Sequence, residues 1–127
     1  MRIRYLAGAI GTALLFSAGA HADGFNQVVS FGDSLSDSGN VSILSGSPVI
    51  SRFTTNPGST AVENIAKYFN LSLNPSLAGG TDYAFGGARV TIPNPVPGTG
   101  AQIQQYLTST GGKADPNTLY TCLLYTS

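Results

Sequence analysis

Histidine is nearly absent from this sequence, with His21 the sole example, and cysteine is as scarce, with Cys122 alone. Charge is thin as well: six basic and six acidic side chains in 127 residues give a formal net charge of zero. Lys and Arg nowhere gather into the basic patch that phosphate contacts require, so nucleic acid is not an expected partner. His, Cys, Asp and Glu show no metal-ligand spacing. There is no internal repeat, and low complexity is confined to short Gly, Ser and Pro stretches. Glycine and proline, by contrast, are plentiful, at 16 and 7 residues, so many loops are expected. The chain has room for one small domain at most.

One apolar run stands out. Arg2 and Arg4 make a basic start, and Tyr5 to Phe16 follow as the run itself. Small residues then lead to Ala20-His21-Ala22, an A-x-A cleavage pattern. Residues 1–22 therefore read as a signal peptide, with the mature start at Asp23. The run is short for a bilayer span, which argues against an anchor. No cysteine follows it as a lipoprotein would need, and no twin arginine precedes it, so the general export route is expected. Cleavage removes His21 along with Arg2 and Arg4. The mature chain keeps Arg52, Lys67, Arg89 and Lys113 against six acidic residues, and it has no imidazole.

Beyond the leader, Val28, Val29 and Phe31 form a short apolar run ending at Gly32, the pattern of a buried strand that breaks into a turn. Ser34 to Gly39 predicts a tight turn leading into a short helix. Asn40 to Ser59 lacks any sustained period and reads as a long surface loop. Thr60 and Glu63 have capping-box spacing, and Val62, Ile65, Ala66 and Phe69 fall on one helical face. Tyr83-Ala84-Phe85 reads as a short strand ending at Gly86-Gly87. Ile92 to Gly100 carries three prolines and is expected to be irregular. Ala101 to Thr108 predicts a second helix with Ile103, Tyr106 and Leu107 on one side. Leu119-Tyr120 opens another strand. Strands alternating with helices predict an α/β layered fold with a parallel sheet.

The chemistry concentrates in Phe31-Gly32-Asp33-Ser34-Leu35-Ser36-Asp37-Ser38-Gly39-Asn40. A serine just past a buried strand has its hydroxyl at the carboxyl edge of the sheet, where open α/β folds place their sites. The turn also leaves backbone N–H groups for a developing oxyanion. This is not the G-x-S-x-G elbow, because no glycine stands two residues after Ser34. The extended string resembles block I of the GDSL (SGNH) family of esterases and lipases. Arg52-Phe53-Thr54-Thr55-Asn56-Pro57-Gly58 is similar to a segment of that family's bacterial autotransporter branch. Gly80-Thr81-Asp82-Tyr83-Ala84-Phe85-Gly86-Gly87-Ala88-Arg89 resembles block II, and Asp115-Pro116-Asn117-Thr118-Leu119-Tyr120 resembles the lead-in to block III. The resemblance covers nearly all of 23–120.

The resemblance implies a three-layer α/β/α, flavodoxin-like parallel sheet of the SGNH kind, here cut off after its first strands. It implies Ser34 as nucleophile and oxyanion-hole amide, and Gly87 as a second oxyanion-hole amide, with Gly86 the neighbouring alternative. Asp33 and Asp37 are expected to brace the turn rather than to react. Arg89 has two open readings, a hydrogen-bonding support for the oxyanion loop or a solvated side chain. No cofactor or metal is implied. The implied substrate is an ester or lipid. An exported location follows, secreted or at the surface or outer membrane of a Gram-negative bacterium, with a C-terminal β-barrel expected in the parent protein.

The departures from the family pattern carry as much weight. Neither the Gly-x-Asn-Asp block nor the Asp-x-x-His block has a counterpart here, so residues 23–121 read as the N-terminal part of a hydrolase domain. Ser34 then has no base within the chain, and Lys67 and Lys113 are expected on solvated surfaces. Cys122-Leu123-Leu124-Tyr125-Thr126-Ser127 reads as the translation of a transposase adapter used in sequencing libraries (TGT CTC TTA TAC ACA TCT). The frame is therefore expected to leave natural coding sequence near Thr121. Two rival readings stand beside the esterase: a hydrolase of acetylated carbohydrate, and an exported, non-catalytic surface or adhesive domain.

Overall fold

The computed structural model describes residues 24–55, 57–90 and 95–125. The expected leader at 1–22 and the expected mature start at Asp23 lie outside these residues, as do Asn56, 91–94 and 126–127. What is described is a small α/β unit built on a two-stranded parallel sheet.

Strand β1 spans Gln27–Gly32 and strand β2 spans Thr118–Leu123, in register from Gln27 opposite Thr118 to Gly32 opposite Leu123. Successive side chains of a strand point to opposite faces. In β1 both faces are covered, which is why the strand reads as a nearly continuous apolar run. Val28 packs with Val62, Ala66 and Leu73, and Leu71 and Leu119 close the edge of that cluster. Val29 and Phe31 pack on the other side with Tyr106, flanked by Tyr83 and Leu107. Burying each of these valines fully contributes roughly 1.5–3 kcal/mol.

Among the described residues three α-helices lie between the strands: α1, Asn40–Leu44; α2, Ala61–Tyr68; and α3, Thr99–Ser109. Helix α1 occupies the start of the stretch read as loop. Its first turn forms because the Asp37 carboxylate accepts from the amides of Gly39, Asn40 and Val41, satisfying donors that a helix leaves orphaned. Helix α2 opens with the expected capping box, the Thr60 hydroxyl accepting from the Glu63 amide and the Glu63 carboxylate from the Thr60 amide. Arg52 pairs with that carboxylate at 2.6–2.9 Å and so pins the preceding loop to the helix. The helix ends in a Schellman arrangement, with Asn70 at φ 56 and the Leu71 amide on the Ala66 carbonyl.

Three expectations need correction. Ile65 is 39 % exposed, and the buried side of α2 is Val62, Glu63 and Ala66, because the ion-paired Glu63 takes the place predicted for an apolar residue. Helix α3 starts at Thr99, inside the stretch expected to be irregular, and buries Thr99, Gln102 and Tyr106 while Ile103 is 40 % exposed. Tyr83–Phe85 is not a strand. The segment follows β1 through bonds from Ser30 N to Thr81 O, Tyr83 N to Ser30 O and Phe85 N to Gly32 O, but only Asp82 forms bridges, to Ser30 and Pro75. Side chains interrupt the ladder: Gln102 takes the Gly32 amide, and Asn40 takes the carbonyls of Asp82 and Ala84.

Candidate active site

The end of β1 sets the site. Gly32 has φ 141, and a Cβ built on it meets the Leu123 carbonyl oxygen at 1.9 Å. Only glycine lets β2 approach here and lets the chain turn out of the sheet. The turn that follows is closed by its own main chain, with the amides of Ser36 and Asp37 donating to the Asp33 carbonyl. One Asp33 carboxylate oxygen accepts from the Leu35 amide at 3.0 Å, and the other from the Tyr125 amide at 2.6 Å. Asp33 therefore braces the turn.

Ser34 stands at the tip of this turn, half-buried, with exposed Leu35 beside it. Neither its amide nor its hydroxyl is hydrogen-bonded to another described residue. The Asp33 carboxylate and the amides of Leu35, Ser36 and Asp37 are occupied in holding the turn, whereas the buried Ser36 hydroxyl has no partner among the described residues. A hydroxyl and an amide kept available on a rigid turn at the carboxyl end of a parallel strand can attack a carbonyl and receive the resulting oxyanion.

Two loops meet behind Ser34. Asp37, 1 % exposed, accepts from Gly39 at 2.8 Å and Asn40 at 2.6 Å through one oxygen. Its other oxygen accepts from Val41 at 3.2 Å and Gly86 at 2.8 Å. Asn40, fully buried, donates to the carbonyls of Asp82 and Ala84 and accepts from the Ser76 hydroxyl and the Leu77 amide. Asp82 answers from the second loop by accepting the Ser38 amide at 2.6 Å and the Ala84 amide at 3.1 Å. The two sequence blocks, distant along the chain, are thus stitched together by Asp37, Asn40 and Asp82. Gly86 and Gly87 follow directly. Gly87, at φ 83, holds a backbone conformation that favours glycine, and it is exposed. The ring of Phe53, itself 55 % exposed, lies so close to Gly86 that an added Cβ would meet its Cε2 at 2.2 Å.

Asp37 and Asp82 form a buried acidic pair, and Arg52 lies near enough to feel the charge of Asp37. Burial pushes the Asp82 carboxyl up to about 6, assisted by the Asp37 charge and opposed by the amides of Ser38 and Ala84. Glu63 behaves oppositely. Burial alone would raise it, but Arg52 and the Thr60 amide together outweigh burial and hold it below its ordinary value. Among the described residues no three His, Cys, Asp or Glu side chains gather as a metal site. No residue from 24 to 125 is histidine. Lys67 donates to Ser59 at 2.6 Å at the end of α2, Lys113 is exposed, and Arg89 is exposed with its carbonyl accepting the Thr99 amide.

Reading the sequence singled out Ser34, Gly86 and Gly87, which lie on the turn after β1 and on the loop stitched to it, but it missed the connecting roles of Asn40 and Asp82, and it missed Gln102 altogether. Gln102 is four residues before the buried Tyr106, and that i, i+4 spacing was the available signal. No family model matches the sequence. Over 109 residues the chain is 35 % identical to Lipase 1 of Photorhabdus luminescens, a match covering 85 % of this chain and 16 % of that protein. The likeness supports a lipase-like relative, and the chain spans only a small part of its length.

Proposed function

We propose that residues 23–121 are the nucleophile-bearing, N-terminal part of a GDSL-type (SGNH) hydrolase domain in an exported carboxylic ester hydrolase. The observation that carries this reading is Ser34, whose hydroxyl and amide are available at the carboxyl end of β1 on a turn braced by Asp33. The Ser34 oxygen attacks the ester carbonyl, and its proton passes to a base contributed from outside residues 24–125. The negative charge that develops on the carbonyl oxygen is received by the Ser34 amide and by the Gly87 amide. The bond to the alcohol then breaks, the alcohol leaves with the proton, and an acyl group remains on Ser34. Water attacks this acyl-enzyme and releases the acid. No cofactor or metal enters the scheme. The leader at 1–22 directs export, and a β-barrel further along the parent protein would hold the domain at the outer membrane.

Exposed Leu35 next to Ser34 and exposed Phe53 on Gly86 support an apolar acyl or alcohol group over an acetylated sugar. The likeness to a protein named as a lipase points the same way. The test is hydrolysis of short- and long-chain p-nitrophenyl esters by the protein expressed from its complete locus. Ser34→Ala should lower kcat by about 10⁴-fold or more and abolish labelling by a fluorophosphonate. Full activity in Ser34→Ala would leave the non-catalytic surface domain as the better reading. The 127-residue chain alone should hydrolyse these esters at the background rate.

A further inference from the structure

Gln102 is the largest of the fully buried side chains, and all of its polar hydrogens are used. Its Oε1 accepts from the Gly32 amide at 2.8 Å. Its Nε2 donates to the Gly32 carbonyl at 2.9 Å and to the Pro97 carbonyl at 2.9 Å. The orientation of the carboxamide is fixed by its partners, since an amide N–H needs an acceptor and two carbonyls need donors. Along β1 the bonds from Ser30 N to Thr81 O and from Tyr83 N to Ser30 O set up a parallel ladder whose next rung would join Gly32 N to the Tyr83 carbonyl. Gln102 replaces that rung. A side chain from α3 thus serves as the strand partner at the last residue of β1, two positions before Ser34.

The place matters because Gly32 is the pivot of the site. Its φ of 141 starts the turn that carries Ser34, and its carbonyl also accepts the Phe85 amide at 3.1 Å, two residues before Gly87. Rotation of the peptide groups flanking Gly32 would swing the Ser34 turn and the Phe85–Gly87 loop together. Glycine has no side chain to resist that rotation. The two-point grip of Gln102 does resist it, and the third bond to Pro97 anchors the grip to the loop leading into α3.

We infer that Gln102 is a positioning residue: it fixes the Gly32 peptides and thereby the orientation of Ser34 and of the oxyanion-binding loop, without touching the substrate. The inference rests on the assignment of Ser34 as nucleophile. It is tested in the protein from the complete locus with Gln102→Met, which keeps the bulk and loses the bonds, and Gln102→Glu. The readouts are kcat and KM on a p-nitrophenyl ester, the rate of fluorophosphonate labelling, and Tm. Gln102→Met should lower kcat and the labelling rate in parallel by about 10- to 100-fold with KM within about twofold, the size of effect a slight misplacement produces. In Gln102→Glu the labelling rate relative to wild type should rise as pH falls, because a protonated carboxyl accepts from the Gly32 amide and donates to its carbonyl.

Several results would overturn the inference. One is a labelling rate within about twofold of wild type in folded Gln102→Met. Another is a pH-independent ratio in Gln102→Glu. Failure of both variants to fold assigns Gln102 to folding alone and overturns it as well. Ser34→Ala serves as the separate control: labelling that survives it removes the nucleophile assignment, whereas labelling that it abolishes while Gln102→Met leaves the rate intact removes only the role of Gln102.

Discussion

The two ends of β1 and β2 are held together by different chemistry. Around Asp33–Asn40 and Asp82–Gly86, side chains do the holding: those of Asp37, Asn40 and Asp82 alone make ten hydrogen bonds, nine of them with main-chain amides or carbonyls and one, from the Ser76 hydroxyl to Asn40, between side chains. Around Tyr120–Tyr125 the link to β1 is made by main-chain pairing with a single long side-chain bond, from the Thr121 hydroxyl to the Val29 carbonyl at 3.4 Å, and Tyr120, Leu123 and Tyr125 are exposed at 37, 42 and 76 %. The first region is specified by particular residues; the second is a geometry that many sequences would adopt. Substitutions should therefore have large effects in one and small effects in the other.

The sharpest break is at Asp37. Asp37→Ala removes the acceptor for the amides of Gly39, Asn40, Val41 and Gly86 in a region where water has little access. Leaving buried donors unsatisfied costs about 1–3 kcal/mol each in isolation, with relaxation recovering part of it. A loss of about 3–5 kcal/mol is expected from denaturant unfolding, along with the loss of contact between the Ser34 turn and the glycine loop.

Asp82 sharpens the comparison through pH. Its folded-state value of about 6 lies above the 3.8 of an unperturbed aspartate, which represents the unfolded chain. As pH falls, the folded state therefore takes up this proton first and gains on the unfolded state between about pH 6 and pH 4. As pH rises through 6 the same contribution is lost. The shift corresponds to about 3 kcal/mol across that window. Glu63 works the other way, since its lowered value gives stability present above its ordinary range and lost as pH falls below it. Unfolding curves from pH 4 to 7 should show stability declining with pH in the wild type and a flatter profile in Asp82→Asn. An unchanged slope in Asp82→Asn would mean that burial does not tune this carboxyl.

The same contrast decides what could be read in advance. The apolar run of β1, the Thr60–Glu63 capping box and the glycine at the end of β1 are local signals, and each stands where the residue pattern placed it. Ser34 was legible because a strand-turn boundary and a serine coincide there. The interrupted ladder at Tyr83–Phe85 was not, because its causes are side chains distant in sequence, Gln102, 70 residues from Gly32, and Asn40 on the carbonyls of Asp82 and Ala84. The polar residues at 63 and 102 broke the expected apolar faces of α2 and α3 for one reason: each is buried with its partners supplied from elsewhere, by Arg52 and by Gly32 with Pro97. Periodicity reports hydrophobicity and cannot see such pairings.

The smallest effect belongs to the far edge. Cys122, Leu123 and Tyr125 are exposed, and what this segment gives β1 and the turn is a row of backbone groups, the Leu123 carbonyl accepting from Asp33 N at 3.2 Å and the Tyr125 amide donating to Asp33. Backbone groups are the same whichever side chains accompany them. Replacing Cys122, Leu123 and Tyr125 together by Thr, Val and Thr should therefore shift stability by no more than about 1 kcal/mol, the range of surface substitutions without special contacts. The same reasoning bears on the expectation that codons from 122 onward come from adapter DNA, because a natural sequence with strand propensity would pair with β1 equally well. Reading the source locus across Leu119–Ser127 and unfolding the corrected protein would test both. A natural continuation that leaves the Ser34 turn unchanged agrees with backbone-only pairing, whereas one that restructures the turn would show that the edge carries side-chain information after all.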